Sequence, residues 1–179
     1  MEATTHACML LFVMGILGAA DIVIFHVRAH DLRHREESRA ELITHFLRGP
    51  TYAVLFFLLP NFALDGVWFA LLLALLVFDA LISAVDFWLE PESRRTAGGL
   101  PRGENLLHVV LAGLFGALVA VILLDRHVHL DAATSIAWVP RGEGVPDLLR
   151  LALSIMSPIV LATGLLDLKA VLRLGRQRA

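Results

Sequence analysis

Two Glu-x-x-x-His pairs, Glu41 with His45 and Glu104 with His108, stand at the heads of apolar runs. Residues four apart lie about one turn from each other on a helix, so each pair presents a carboxylate and an imidazole on one face. Carboxylate and imidazole together suit iron, manganese or zinc. Further ionisable groups interrupt the other runs: Asp21 and His26 in the first, Asp79, Asp86 and Glu90 in the third. In the second, Glu41, His45, Arg48 and Tyr52 fall on one helical stripe, as Asp79, Ser83, Asp86 and Glu90 do in the third.

Charge sharpens the expectation. Asp21, Glu41, Asp79, Asp86 and Glu104 face a single arginine, Arg48, and the histidines His26, His45 and His108. That many carboxylates cannot all stay ionised in a low-dielectric interior. Either some are protonated or cations complete the site, and two divalent ions would supply the missing charge. Helical bundles build di-iron centres from inward-facing Glu and Glu-x-x-His; here both copies carry one more intervening residue, so the likeness is architectural only. Glu41, His45, Asp86, Glu104, His108, Asp21 and His26 are the expected ligands. Asp79, Arg48 and Glu90 stand behind them as partners that orient the ligands or balance their charge.

The elements that would position these residues are long and apolar. The chain has 179 residues, is 58% hydrophobic and has a mean hydropathy of +0.73. A soluble domain is typically about 45–50% apolar. The expected fold is all-α: a single transmembrane helical domain over 1–179, with spans at about 9–27, 40–59, 67–89, 105–124 and 148–168. Met1–Cys8 holds no Lys or Arg, so the first run reads as a retained helix rather than a signal peptide. Arg28–Arg39 reads as a solvated turn, with Ser38 capping the second helix and Glu41 completing a capping box. Gly49-Pro50 is expected to bend that helix, and Pro91 to end the third. Gly113 and Gly116 offer a close helix approach in the fourth.

If five helices alternate across a bilayer, 12 of the 15 Lys and Arg residues fall on one side. The positive-inside rule then puts the N-terminus outside, the C-terminus in the cytoplasm and the four polar helix ends together at the cytoplasmic face. Helices one–two and three–four also share a plan: a span ending in acid, a charged turn, then Glu-x-x-x-His.

The composition excludes several classes. A net charge of −2 gives no basic excess for nucleic acid, and the single Cys8 excludes an intramolecular disulfide or a cysteine-rich metal site. The expected partners are the lipid bilayer and a lipid-soluble small molecule, with a homo-oligomer left open. The expected function is a metal-dependent membrane enzyme, an oxidoreductase using iron or a hydrolase using zinc. The alternatives are a proton- or ion-coupled carrier, a b-type haem protein using His45 and His108, and a bundle held by a buried salt-bridge network. Two smaller features stand apart. Asp125, His127, His129 and Asp131 could bind a metal on the outer side, though a solvated loop explains them. Ser93-Arg94-Arg95 with Gly98-Gly99 could hold a lipid phosphate.

Overall fold

The first helix, α1 (Glu2–Asp21), does not stop at Asp21; it widens into a π-helix over Ile22–Ala29, closed by the His30 amide donating to the Phe25 carbonyl. The structure, a computed structural model, describes residues 2–124 and 126–176. After a 3₁₀ turn at Leu32–His34 come α2 (Arg39–Asn61), strand β1 (Phe62–Asp65) and α3 (Val67–Ser93). The chain continues through α4 (Arg102–Leu124), the short α5 (Arg126–Leu130), strand β2 (Ser135–Trp138) and α6 (Asp147–Arg176). Five of these helical segments are long and apolar enough to cross a membrane: Ala3–Ala29, Arg39–Asn61, Val67–Ser93, Arg102–Leu124 and Asp147–Arg176.

Packing runs across the chain order. α1 packs against α4, α2 against α3, and α6 lies along α2. Leu11, Leu55, Leu118 and Leu153, from four different helices, are fully buried between them. The closest helix approach is between α2 and α6. A Cβ on Gly49 would stand 2.9 Å from the Gly164 Cα, and one on Gly164 would stand 3.0 Å from the Gly49 Cα. The expected approach at Gly113 and Gly116 is not found, since a Cβ at either would meet open space.

Other sequence expectations shift here. Pro91 lies inside α3 rather than ending it, because the packing carries the helix on to Ser93, while Pro50 lies within α2 as expected. Ser38 forms no cap; its hydroxyl accepts a hydrogen bond from Ser93 at 2.9 Å. The turn after the π segment is not wholly solvated, for His30 and Leu32 are buried in it. α6 extends to Arg176 and buries Ala170, Val171 and Leu174, so most of the basic tail is helix. Asp125 of the outer histidine cluster and Arg178 of the charge count lie outside the described residues.

The expected all-α fold gains one small sheet at the end of the bundle opposite the ionisable cluster. β1 and β2 pair antiparallel, Phe62 opposite Trp138 and Asp65 opposite Ser135. Gly66, at φ +57°, ends this pairing, and a Cβ there would lie 2.6 Å from the Thr134 hydroxyl, so only glycine fits. His129 is drawn into the same end, 2.8 Å from Asp65. Arg150 ties down the loop before α6 by donating to the Val139, Pro140 and Glu143 carbonyls.

Candidate metal centre

Two reciprocal pairs frame the site. His45 Nε2 on α2 lies 3.4 Å from Asp86 Oδ1 on α3, and His108 Nε2 on α4 lies 3.4 Å from Asp21 Oδ2 at the end of α1. Each histidine thus faces the aspartate of the other helix pair. The preceding glutamates point to the middle, where Arg94 Nη1 donates to Glu41 Oε2 and Arg94 Nη2 to Glu104 Oε1, both at 2.5 Å. All three of these central side chains are withdrawn from solvent. Burial works against the Arg94 charge, yet the hydrogen bonds it donates to the two glutamates, with their negative charge, outweigh it and hold the guanidinium pKa above its ordinary value.

The π segment accounts for the α1 contribution. Five residues of α-helix at about 100° each would put His26 on a different face from Asp21. In the π turn His26 Nε2 instead lies 3.2 Å from Asp21 Oδ2 and 3.6 Å from Glu104 Oε1. One turn on, His30 Nε2 lies 3.3 Å from Glu104 Oε2. Burial, with the Arg94 charge beside it, lowers the His30 pKa against the pull of Glu104. Single π turns inside α-helices are frequent at functional sites.

Around this centre the remaining predicted residues find places. His45 Nε2 is also 3.6 Å from Glu41 Oε1, and the His45 ring stacks on His26 with centroids 4.6 Å apart. Glu90 Oε1 lies 3.2 Å from His108 Nδ1. Arg48 reaches Asp79 at 3.3 Å and Asp86 at 3.5 Å, while the Tyr52 hydroxyl donates to Asp79 at 3.1 Å. Thr44 donates to Asp86. Asp21, His26, Glu41, His45, Asp86, Glu104 and His108, with Asp79, Arg48 and Glu90, therefore form one connected cluster. Arg94 and His30 belong to it as well, so the lipid-phosphate expectation for Arg94 is overturned: its side chain is wholly inside, between two glutamates.

Three groupings bring ligand atoms within 4.8 Å of one another: Asp21, His26, Glu104 and His108; His26, Glu41 and His45; and Glu41, Asp86 and Glu90. Several of these atoms lack a hydrogen-bond partner although buried: Asp21 Oδ1, His26 Nε2, Glu41 Oε1, Glu90 Oε1, Glu104 Oε2 and His108 Nδ1. Most of them are held instead by longer ion-pair contacts of 3.2–3.6 Å with one another or with His30 and His45. Six buried carboxyl groups here meet two guanidinium groups and four imidazoles, so the charges can balance within the cluster if the imidazoles are protonated, and a bound cation would take the place of those protons. Beside His26 and His45 a cavity of about 10 Å³, bounded by Arg33 and Asp167, has room for roughly one water.

Compared with known proteins, the chain matches no protein-family model, no curated protein and no solved structure.

Proposed function

We propose that the chain is an integral membrane protein whose buried carboxylate–histidine cluster binds divalent metal ions near the cytoplasmic face, and that it acts as a metal-dependent enzyme on a lipid-soluble substrate. The membrane part rests on five long apolar helices whose outward faces expose residues such as Ile16, Leu81, Val109 and Ile159. Trp68 and Trp138 are exposed at one end and Trp88 at the other, as interfacial belts would have them. Lys and Arg crowd the end that carries the cluster, which favours that end as cytoplasmic.

The observation that carries the metal reading is the set of buried, hydrogen-bond-less ligand atoms gathered from four helix ends. Ionisable groups inside a membrane are costly and mark functional sites. His45, His108, Glu41, Glu104, Asp86, Asp21 and His26 would hold the metal, with Glu90 orienting His108 through the ring nitrogen that does not face Asp21. Iron would supply oxygen activation, zinc a Lewis acid or bound hydroxide. The chain contributes a buried, pre-arranged cluster, and the single-water space by His26 and His45 admits only a small reactant. The substrate would therefore approach from the lipid side of the helices.

The Arg94 bridge favours a second reading, a bundle held by a buried salt-bridge network. Metal analysis of detergent-purified protein separates them, with His45→Ala and Glu104→Gln beside wild type. Stoichiometric iron or zinc in wild type, reduced or lost in both variants, supports a metal centre. Metal-free wild type with variants that are merely less stable supports the network. A carrier would need polar groups along its path. Among the described residues of α1–α4, the buried ionisable side chains gather at one end, apart from Asp79 midway along α3.

A further inference from the structure

The geometry points to two separate mononuclear metal sites, not one carboxylate-bridged pair, with Arg94 as the divider. This rests on the metal-centre reading above and fixes what that centre is. The ligands sort by half of the chain, crosswise. One position takes Asp21 and His26 from the end of the first span, with Glu104 and His108 from α4. The other takes Glu41 and His45 from α2 with Asp86 from α3; Glu90, grouped with Glu41 and Asp86, also reaches His108 of the first position, and His26 is grouped with Glu41 and His45 as well. Each joins the acidic end of one span to the Glu-x-x-x-His of the opposite helix pair. α1 packs on α4 and α2 on α3, so the helix packing agrees with this sorting.

A bridging carboxylate binds one ion through each oxygen. Glu41 and Glu104, the central carboxylates, each give one oxygen to Arg94 at 2.5 Å. A metal ion on that same oxygen would stand against a guanidinium that is permanently charged and fully buried. Of their oxygens only Glu41 Oε1 and Glu104 Oε2, the ones Arg94 does not take, remain without a hydrogen bond. Glu41 Oε1 is next to His45, while Glu104 Oε2 is next to His30, whose ring nitrogens have no hydrogen-bond partner either. His30 is thus placed to join the first position as a further ligand. The halves touch through stacked rings, His26 on His45, and through the Glu90–His108 pair, with no carboxylate placed to hold both ions.

Manganese(II) alone is the probe. Full-length protein, stripped with chelator in detergent, is titrated with Mn²⁺ and followed by equilibrium binding and electron paramagnetic resonance. The expected result is two equivalents per chain, with a fully loaded spectrum that shows through-space dipolar broadening at most and no exchange coupling. Asp21→Asn and Asp86→Asn should each remove one equivalent and leave the other, and the double variant should bind none. An exchange-coupled spectrum, a single equivalent, or loss of both ions in either single variant overturns the inference while leaving a metal centre in place. No manganese binding at all removes the metal reading with it. The wild-type spectrum decides the coupling even if a variant fails to fold.

Discussion

Arg94 Nη1 meets Glu41 Oε2 at 2.5 Å where neither side chain touches solvent. Removing one member of such a pair strands the other, which costs about 3–5 kcal/mol. Arg94→Gln should lower unfolding stability in detergent by that amount, since Glu41 and Glu104 both lose their partner. Arg94→Lys should fall between, because an ammonium lacks the planar fork that serves both glutamates. Chemical denaturation followed by circular dichroism measures both; an unchanged midpoint in Arg94→Gln would refute the bridge.

Metal should stabilise the fold. An ion that binds only the folded state adds about 2.7 kcal/mol at a hundred times its dissociation constant. For a chain of this size that is an upward shift of roughly 5–10 °C in the unfolding midpoint. Chelator should reverse the shift, and His45→Ala should shrink it. A midpoint indifferent to iron, zinc and manganese alike counts against the metal centre.

The α2–α6 contact makes a separate prediction. With Gly49 and Gly164 backbone to backbone, a methyl on either has nowhere to go. Gly164→Ala should destabilise by about 1–3 kcal/mol, as overpacking does. Gly113→Ala, where the space is open, should be neutral or slightly stabilising. Equal effects at the two positions would contradict the packing.

Acid should loosen the far end of the bundle. The hydrogen bond from His129 is the main reason the Asp65 carboxyl lies below its ordinary pKa, with a smaller share from Ser135. A lowered folded pKa gives stability that is complete above the unfolded value of about 4 and is lost as pH falls through the lowered one. Thermal midpoints measured from about pH 6 down to about pH 3 should therefore fall more steeply in wild type than in Asp65→Asn. Parallel curves would show that the Asp65–His129 link contributes nothing.

Much of the site was legible in the sequence because its residues obey helical spacing. The Glu41–His45 and Glu104–His108 pairs, and the Asp79–Asp86–Glu90 stripe, need nothing beyond a regular helix to share a face. Arg94 lies one turn after Glu90 on that stripe, but Pro91 reads as a stop, and only tertiary packing carries α3 past it. His30 was hidden differently. It follows a π turn, whose wider spacing rotates His26 and His30 toward Glu104, and no local composition announces that. The β1–β2 pairing joins segments about 70 residues apart, each too short to be read as a strand alone.

The crosswise pairing also constrains how the chain can be made. Asp21 and Glu41 belong to the first helical hairpin, but His108, Glu104 and Arg94, which accompany them, are translated later. On the membrane reading, the early hairpin enters lipid with its acids paired only to His26 and His45 and is completed only when the second arrives. Insertion of the first four helices should thus be one concerted act. Separately expressed fragments 1–65 and 66–179 should each be degraded alone and recovered when co-expressed; a first fragment that accumulates by itself would show the opposite.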